Sequence, residues 1–488
     1  MVSVSSAPRF HVPEAFGVRP GSEFFFPLPV EGEKVSLHCL NPPPGTRFDA
    51  ATRSLRGKIS APRVYRVEFE AENPAGHVAC AVKFVVGDSI QLTPPMGWNS
   101  WYCFSEGVGD ARIRTVADAM VERGLAAHGW NFVNIDDCWQ GERGGKYGAL
   151  QGNERFPDMA ALADYVHSRG LRFGLYSTPW ISTYAGFRGG STDGGSEERI
   201  FLPPEERLQP NQVFGRFPSL YQRNVNRTGT EWRVGDDIRQ WVEWGVDFVK
   251  MDWLPNDLPT TRRIAAGLRN CGRDIVLSLS NNAPVAEAQE LLDCAELCRI
   301  TGDIRDEWES ISAIGFDHPA GWRQAAGPGR HPDPDMLQIG AIGIPNRPNP
   351  TYTPSRLTPE EQRLQFSLWC LLSAPLLLSC DIAGMDDQTF RLLTNDDLIA
   401  VDQDPLVCPP RIRDCGDGVL EYRKPLADGS EAIGLFNRAD EIRRTRLAIP
   451  SRGRELWSGE ERELCGEFTI APHSCAVYRS GSPAESGR

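Results

Sequence analysis

The chain has 488 residues but no apolar run long enough to cross a membrane. Its longest apolar stretches, such as residues 368–378, are interrupted by proline and fall short of the roughly 20 residues that a spanning helix needs. The first residues also lack the basic and apolar segments of a signal peptide. We therefore expect no membrane segment and no intact signal peptide. The compartment stays open, and an extracellular or periplasmic location is favoured.

Positive charge is in short supply as well. Lys and Arg number 52 against 65 Asp and Glu, so the formal net charge is -13 and the pI is near 5.3. Nucleic acids and anionic membrane surfaces are recognised by basic faces, so neither is expected as a partner. The composition fits an acidic enzyme that acts on a neutral substrate, and it leaves oligomer formation open.

Closely spaced cysteines of the kind that bind zinc are missing too. Thirteen cysteines are scattered along the chain, and the close pairs are Cys294 with Cys298 and Cys408 with Cys415. This pattern gives little support to a metal site. The odd count leaves at least one thiol unpaired within the chain, so the redox compartment stays open.

Residues 1–90 form the first of three regions with different patterns. They are rich in β-branched residues, Pro and Gly, and alternating runs at 64–72 and 77–87 predict antiparallel strands. These strands and the Pro-Gly-rich segment before them resemble immunoglobulin-like or cadherin-like modules, so we expect a β-sandwich. Cys39 and Cys80 either bridge its two sheets or are two buried free thiols.

From 91 to 396 the pattern changes to alternating strands and helices. Apolar runs that end in polar residues are followed by segments with helical spacing of apolar residues, and several of these end at glycine. The predicted strands are the one at 96–101 and those at 132–137, 171–178, 247–252, 274–280 and 296–303; the predicted helices are 110–129, 159–170, 234–245, 259–272 and 285–295. Six such strands predict a parallel (β/α)8 TIM barrel with polar residues at the carboxyl ends of its strands.

The third region, 397–488, contains short alternating strands separated by Asp-Gly and Ser-Gly turns. This pattern predicts a C-terminal antiparallel β-sandwich that packs on the barrel. Within the barrel region, residues 177–233 lack a clear pattern and are rich in Gly, Pro, Arg and aromatic residues. A loop of this length is either a lid over a pocket or a surface insertion without a catalytic role.

Four segments place polar residues beside tryptophan, and three of them carry carboxylates. They are MGWNSW (96–101), FVNIDDCW (132–139), DFVKMDW (247–253) and ITGDIRDEW (300–308). Polar side chains at the carboxyl ends of parallel strands meet in one place, so we expect a single pocket. Carboxylates, a cation and an aromatic plane suit the hydroxyl rim and the apolar face of a sugar.

Asp252 is the first candidate for a catalytic group, although an aspartate at a strand end is often a helix N-cap or a loop anchor. Lys250 precedes it by two residues and faces the same side, where it can keep Asp252 ionised. Alternation along a strand places Asp136 and Asp137 on opposite faces, so at least one should reach the pocket. Trp101 is either core filling or an aromatic wall of the pocket.

Seven ordered motifs resemble those of glycoside hydrolase family 27, the family of α-galactosidases and α-N-acetylgalactosaminidases. They are LTPPMGWNSW, NIDDCW, GLYSTPW, FVKMDW, CRITGDIRDEW, HPDPDMLQIG and LWCLLSAPLLLSCDI with VDQDPL. The resemblance extends over residues 92–408. It implies a (β/α)8 barrel followed by a C-terminal antiparallel β domain. It also implies a retaining double displacement at an α-linked galactose-type sugar of an oligosaccharide or glycoconjugate.

The resemblance also assigns roles to individual residues. Asp252 of the K-x-D strand is the implied nucleophile with Lys250 beside it, and Asp303 of the D-I-x-D motif is the implied acid/base. The other implied sugar-binding residues are Trp101, Asp136, Asp137, Tyr176, Arg299 and Asp335. To donate a proton, Asp303 needs a raised pKa, which the charge of Asp252 would help to supply. No metal or organic cofactor is expected for this chemistry.

The choice of sugar depends on Ser280 and Ala283. At the matching positions the family's α-galactosidases generally have Glu and Leu, whereas its α-N-acetylgalactosaminidases have Ser and Ala. Smaller residues leave room for an acetamido group. We expect an α-galactosidase, with α-N-acetylgalactosaminidase as the alternative that this pair suggests and β-L-arabinopyranosidase as a less favoured one. Rivals from other classes are a non-catalytic carbohydrate-binding relative and a metal-dependent barrel enzyme using Asp333 and Asp335.

A disulfide that many family members carry near the nucleophile is missing from the pattern. Trp253 follows Asp252, and Tyr184 precedes the AGF sequence, so neither position supplies a cysteine. Cys138 remains, and Cys103 is its expected partner.

Overall fold

The computed structural model describes residues 6–194, 201, 225–343 and 352–481. The centre of the predicted loop 177–233 lies outside these residues, whereas both ends of that loop lie within them. None of the helices in the described ranges has the length and apolar character that a membrane span requires.

The N-terminal region consists of strands packed around an apolar core of its own. One sheet has the order Ala15–Val18, Gly76–Val86, Val64–Asn73, Ser36–Cys39; a second has the order Glu23–Pro27, Ser54–Lys58, Thr46–Asp49; and Arg9–Phe10 pairs with Val30–Glu31. Alternation along the strand Val64–Asn73 buries Val67, Phe69 and Ala71, as the period-2 pattern predicts. The first strand pairs in parallel with Gly76–Val86, and the other pairs in these two sheets are antiparallel.

Cys39 and Cys80 do not bridge two sheets. Cys39 pairs with Phe69 from one side, and Cys80 pairs with Phe69 from the other, so both cysteines belong to the same sheet. Both are free thiols, and burial raises the pKa of each. The possibility of a bridge between sheets is therefore wrong, because the two strands flank a common neighbour.

Eight parallel strands form the barrel. In chain order they are Met96–Asn99, Phe132–Asn134, Arg172–Ser177, Phe248–Asp252, Val276–Ser280, Leu297–Arg299, His331–Asp333 and Leu376–Leu378. The first seven pair in sequence, and the eighth pairs with the first. A single backbone bridge between Leu337 and Leu378 joins the seventh segment to the eighth. The predicted (β/α)8 barrel is confirmed.

Helices follow the strands as their apolar spacing predicts. The longer ones are Asp110–Glu122, Met159–Ser168, Val234–Trp244, Leu258–Arg269 and Pro359–Leu372; shorter ones are Trp101–Phe104, Ala288–Leu292, Trp308–Ser312, Asp387–Leu393 and Asp396–Asp402. The helix predicted at 110–129 is divided, because Gly124 takes a left-handed conformation (φ 93°) and a separate turn, Leu125–His128, follows. Thr358 and Glu361 form a capping box at the start of Pro359–Leu372.

The C-terminal region is a six-stranded antiparallel sheet. Its order is Arg411–Asp414, Val419–Pro425, Glu431–Asn437, Ser474–Ser480, Arg443–Glu455, Glu461–Ile470. Lys424 is fully buried and donates to the carbonyl of Cys370 at 3.1 Å, which joins the sheet to a barrel helix. The predicted C-terminal antiparallel β structure is confirmed.

The N-terminal region packs against the amino ends of the barrel strands. Arg19 donates to Glu296 at 2.8 Å, and Arg172 donates to the carbonyl of Phe25 at 2.9 Å. The backbone N–H of Glu23 donates to the carbonyl of Gly272 at 2.9 Å. These contacts cover the amino end of the barrel and leave the carboxyl ends of the strands, where barrel enzymes keep their chemistry, on the opposite side.

Candidate active site

Asp252 is the last residue of the fourth barrel strand and is 7% exposed. Its Oδ2 lies 3.9 Å from Nζ of Lys250, two residues earlier, so the predicted same-side placement of these residues is confirmed. Its Oδ1 is buried and has no hydrogen-bond partner among the described residues. Asp252 is therefore neither a helix N-cap nor a loop anchor, and it retains one free acceptor oxygen.

Lys250 joins two carboxylates at the mouth of the barrel. Its Nζ donates to Oδ2 of Asp136 at 2.8 Å, and it lies 5.3 Å from the ring centre of Tyr176. Burial disfavours the ammonium, but Asp136 and Asp252 outweigh it and raise the pKa of Lys250. Asp136 also accepts from Nδ2 of Asn99 at 2.9 Å. The second and fourth strands are thus linked by charge at their carboxyl ends.

The pKa of Asp252 is raised to about 6. Burial is the main cause, and Asp303 adds to it, while Lys250 works in the opposite direction. A buried carboxyl with only one cation at 3.9 Å keeps its proton to a higher pH than a solvated one. Asp252 is mostly ionised above pH 6 and protonated below it.

Arg299 organises a second pair of carboxylates. Its Nη2 donates to Oδ1 of Asp303 at 3.0 Å and lies 2.8 Å from Oδ2 of Asp335. Arg299 and Asp335 are buried, whereas the side chain of Asp303 is 57% exposed. Asp303 is therefore the solvent-exposed member of this group.

The ionisation of Asp303 differs from the expectation. Desolvation by the surrounding protein opposes its charge, but Arg299 and Lys250 outweigh this and lower the pKa. The expectation of a raised pKa, which the charge of Asp252 would help to supply, is wrong for this arrangement, because Arg299 donates to Asp303 at 3.0 Å and lowers its pKa. Exposure to solvent screens the effect, so only its direction carries weight.

Asp335 accepts more hydrogen bonds than Asp303, the other carboxylate that Arg299 contacts. It accepts from the backbone N–H groups of Ile304 and Met336 and from the hydroxyl of Tyr102 at 2.9, 2.8 and 3.2 Å. Asp333 accepts from the backbone N–H of Asp335 at 2.8 Å. Asp333 and Asp335 therefore take part in protein hydrogen bonds and an ion pair, which does not favour the metal-dependent alternative.

Asp137 connects the second strand to the long loop. The strand ends at Asn134, so strand alternation does not apply to Asp136 and Asp137, and both lie in the following turn. Asp137 accepts from the backbone N–H of Ala185 at 2.9 Å and of Cys138 at 2.7 Å. Burial raises its pKa to about 7. The first part of loop 177–233 is therefore bonded to a carboxylate of the site.

Ser280 lies beside Asp252, and Ala283 lies beside Arg299. Ser280 is the register partner of Asp252 on the adjacent strand, and the backbone N–H of Ala283 donates to the carbonyl of Arg299 at 2.9 Å. Both residues are buried. Both therefore lie at the mouth of the barrel, and their contact with a sugar stays a prediction.

Buried polar atoms without a partner among the described residues include, at the mouth, Oδ1 of Asp252, the hydroxyl of Tyr176, Oγ of Ser280 and Nε of Arg299. Buried polar atoms are usually hydrogen-bonded in folded proteins, so these atoms are free to bond to a ligand. Trp101 is half-buried at the start of the helix after the first strand, and its backbone N–H donates to Oδ1 of Asn99.

Tyr184 is a residue of the site that the sequence reasoning missed. It is half-buried, and its ring packs edge-on against Trp180 at 5.2 Å. Burial raises its pKa, and the charges of Asp252 and Asp303 raise it further. The next residue, Ala185, donates its N–H to Asp137 of the site. Two signals were present in the sequence: an aromatic residue within a loop of unusual length, and its place where many family members carry a cysteine near the nucleophile.

The predicted pairing of Cys103 with Cys138 is wrong. Both are fully buried, and both are free thiols, as the other cysteines of the chain also are. Burial is the main reason that the pKa of each is raised. Core packing accounts for both residues.

Comparison with known proteins agrees with this architecture. Residues 93–201 and 225–404 match the Melibiase_2 family, described as Alpha galactosidase A, and residues 420–480 match its C-terminal beta sandwich domain. Alpha-galactosidase 2 of Arabidopsis thaliana is 32% identical over 418 residues, covering 81% of this chain and 91% of that protein. Alpha-galactosidase A of Cellvibrio japonicus is 34% identical over 385 residues, covering 74% and 80%.

A crystal structure from Bacteroides fragilis, assigned as an alpha-galactosidase/melibiase, superposes with a TM-score of 0.82 at 29% identity and covers 98% of both chains. The likeness therefore includes the N-terminal strands and the C-terminal sheet. A barrel of this kind, with its acidic mouth, defines a glycoside hydrolase that acts on oligosaccharides. The chain belongs to glycoside hydrolase family 27, a family of retaining α-glycosidases.

Proposed function

We propose that the protein is an exo-acting α-galactosidase that releases terminal α-linked galactose-type residues from an oligosaccharide or glycoconjugate. The observation that carries this proposal is Asp252, a buried carboxylate with one free oxygen at the end of a barrel strand. It shares the mouth of the barrel with Asp303, an exposed carboxylate held by Arg299. One group is suited to bond to the sugar, and the other can exchange protons with an arriving or departing oxygen.

The proposed reaction has two displacements. In the first, Oδ1 of Asp252 attacks the anomeric carbon, the glycosidic bond breaks, and Asp303 gives its proton to the leaving oxygen. In the second, Asp303 takes a proton from water, whose oxygen attacks the anomeric carbon and releases Asp252. Retention follows from the two inversions, and no external oxidant or reductant is involved.

Asp303 has to carry a proton before the first step, although Arg299 lowers its pKa. A sugar that enters the mouth replaces water around the exposed side chain of Asp303. Loss of that solvation disfavours the carboxylate and shifts its pKa upward. The neighbouring charge of Asp252 acts in the same direction, so binding of substrate is proposed to create the acid.

The remaining residues are proposed to hold the sugar. The distal hydroxyls of the sugar would be bound by Asp136, Asp137 and Lys250. An ion pair on the side of the sugar where the leaving group departs would be formed by Arg299 and Asp335. The half-buried ring of Trp101 would face the apolar side of the sugar. The unpartnered hydroxyl of Tyr176 supports this arrangement, because a sugar oxygen would complete its hydrogen bonding.

Chemical rescue tests the role of Asp252. We expect Asp252→Ala to lose turnover of an aryl α-galactoside, and azide to restore part of it while forming a glycosyl azide of inverted configuration. Asp306→Ala is the matched control, since Asp306 is bound by Arg356 and does not contact Asp252 or Asp303 in the structure. Full activity of Asp252→Ala, or a rescued product of retained configuration, would remove Asp252 from this role.

A second candidate function is α-N-acetylgalactosaminidase, favoured by Ser280 and Ala283. Both side chains are small and buried at the mouth, and the hydroxyl of Ser280 has no partner among the described residues. A 2-acetamido group would fit beside them and could bond to that hydroxyl. β-L-arabinopyranosidase activity, on a sugar that lacks C6, is a less favoured third candidate.

Paired aryl α-galactoside and α-N-acetylgalactosaminide substrates separate the two candidates. If the second is correct, the wild type hydrolyses the acetamido substrate, and Ser280→Glu lowers that rate by about 10–200-fold while sparing the galactoside. Ser278 is buried inside the strand, so Ser278→Glu is not a suitable control. Ser280→Thr is used instead, because it enlarges the side chain without adding charge and so separates the effect of size from that of charge. An acetamido substrate that the wild type leaves untouched eliminates the second candidate.

For the flanking regions we propose an immunoglobulin-like fold at 1–90, a catalytic barrel at 91–396 and a C-terminal β-sandwich at 397–488. Seven of the N-terminal strands lie in sheets of four and three that share a core, which supports the first assignment. Limited proteolysis followed by mass measurement tests both boundaries.

A further inference from the structure

Three side chains that commonly bind metal ions meet at the amino end of the barrel, away from the mouth. His11 comes from the N-terminal region, His128 from the turn before the second barrel strand, and Asp396 from the first turn of the helix Asp396–Asp402. One ligand atom of each lies within 4.8 Å of the others. We propose that this cluster binds a divalent transition-metal ion of the Zn²⁺ type.

The distances within the cluster are close to those of a coordination shell. Nδ1 of His128 lies 2.8 Å from Oδ1 of Asp396, and Nδ1 of His11 lies 3.2 Å from the same oxygen. Atoms bound to one zinc ion at about 2.0–2.2 Å lie roughly 3.0–3.5 Å from one another. The third separation, between the two histidine nitrogens, is within 4.8 Å, so the two imidazole rings would have to move toward each other to admit an ion, and solvent can supply a fourth ligand.

The other nitrogen of His11 supports a cation at Nδ1. Nε2 of His11 lies 3.4 Å from Oε2 of Glu31. A neutral imidazole has one N–H, and if Nε2 carries it toward Glu31, Nδ1 presents a lone pair to the Asp396 carboxylate. Either a proton on Nδ1 or a metal cation between the two atoms would remove their repulsion, and metal titration separates these two cases. A metal-bound histidine typically donates its second N–H to a carboxylate, as this geometry provides.

Burial and access both suit a bound ion. The side chains of His11, His128 and Asp396 are 7, 10 and 16% exposed. All three line a cavity of about 220 Å³ between the N-terminal strands and the barrel, which gives an ion a path inward. Arg9 lies 3.4 Å from Oδ2 of Asp396, the oxygen that the histidines do not face, and its side chain is 62% exposed. Arg9 is therefore able to turn toward solvent.

The consequence of such a site is structural. One ligand belongs to the N-terminal region and two belong to the barrel, so an ion would link the two regions without contacting Asp252 or Asp303. An ion that binds the folded chain and not the unfolded chain raises the free energy of unfolding. This inference does not rest on the proposed glycosidase activity, and its tests measure binding and stability.

Metal titration of the full chain tests the proposal. The chain is stripped with a chelator and dialysed, then titrated with Zn²⁺ by calorimetry and with Co²⁺ by absorption spectroscopy. We expect one ion per chain and a thermal midpoint that rises by several degrees with Zn²⁺. His11→Ala and Asp396→Asn should each lose at least about tenfold in Zn²⁺ affinity. Asp396→Asn keeps a carbonyl oxygen that can accept from Nδ1 of His128, so it removes the anionic ligand more than the hydrogen bonding.

His77→Ala is the matched control, because His77 is an N-terminal histidine beside a carboxylate, Glu70, but 51% exposed and outside the cluster. It should bind Zn²⁺ as the wild type does. Equal affinity in wild type, His11→Ala and Asp396→Asn would overturn the proposal. So would a thermal midpoint that Zn²⁺ leaves unchanged, or cobalt–thiolate charge-transfer bands, which would place the ion on cysteines. Loss of stability in the variants that is the same in chelator and in Zn²⁺ would indicate a metal-free hydrogen-bonded cluster.

Discussion

Asp247 and Asp252 lie at opposite ends of the fourth barrel strand, and the protein treats them in opposite ways. Asp247, just before the strand, accepts from Arg273, His167 and the backbone N–H of Phe173 at 2.6, 2.8 and 2.9 Å. Asp252, at its end, has one lysine at 3.9 Å and an oxygen without a partner among the described residues. Both carboxyl groups are buried. The two carboxylates are similarly buried, but Asp247 is fully hydrogen-bonded and stabilises the fold, whereas Asp252 has an oxygen available for a ligand.

Their ionisation reflects the same contrast. Burial alone would raise both pKa values, but at Asp247 the charges of Arg273 and His167 outweigh it and the pKa falls below its usual range. At Asp252 burial prevails, and the pKa rises to about 6. A lowered carboxyl pKa adds stability that is present above about pH 4 and lost as the pH falls. A raised carboxyl pKa lowers the stability, and this loss develops as the pH rises through about 4 to 6.

The largest expected effect is on stability, at pH 7. Asp247→Asn breaks a buried ion pair and should lower the free energy of unfolding by about 3–5 kcal/mol. Asp252→Asn removes an unfavourable buried charge and should leave the free energy of unfolding unchanged or raise it by up to about 3 kcal/mol. Denaturant unfolding followed by circular dichroism measures both. Equal losses in the two variants would contradict the contrast between the strand ends.

The second prediction concerns pH and activity. Because Asp252 attacks as a carboxylate, kcat/KM should rise about tenfold from pH 5 to its plateau, with a midpoint near pH 6. A dinitrophenyl galactoside, whose leaving group needs no proton, isolates Asp252 from Asp303 in this measurement. A midpoint below pH 5 with that substrate would mean that Asp252 is as well paired as Asp247.

The smallest expected effect comes from the loop rather than from a strand. Tyr184→Leu removes an aromatic face near Asp252 and Asp303 and should raise KM several-fold, corresponding to about 1 kcal/mol, with little change in thermal midpoint. Tyr147→Leu, at another half-buried tyrosine, is the control and should leave KM unchanged. An unchanged KM in Tyr184→Leu would restrict the site to residues of the barrel strands and their turns.

Patterns along the sequence predicted those features that depend on near neighbours. The alternation of strands and helices predicted the barrel, and the period of two placed Lys250 beside Asp252. The helix at 159–170 was predicted to within two residues of its observed end because its apolar spacing and the glycine that closes it are local signals. Ordered motifs added Asp303 and Arg299, which no local pattern singles out.

Contacts between distant residues were beyond such patterns. Asp136 bonds to Lys250 across 114 residues, and Asp137 bonds to Ala185 across 48. The pKa of Asp303 depends on the guanidinium of Arg299 at the end of the sixth strand, and the direction of its shift was predicted incorrectly. His128 and Asp396 meet across 268 residues. Each contact depends on how the barrel closes, which spacing along the chain does not report.

Asp335 lies next to the residues that close the barrel, in addition to contacting Arg299. The seventh and eighth segments are joined by the bridge between Leu337 and Leu378 and by the N–H of Leu337, which donates to the carbonyl of Leu377 at 2.8 Å. Asp335 lies two residues before that bridge and holds Arg299 on the adjacent strand. The seam of the barrel and the orientation of the guanidinium are therefore set by one short segment. Amide hydrogen exchange at this seam should consequently report on substrate binding, because a ligand on Arg299 would restrain the segment that closes the ring.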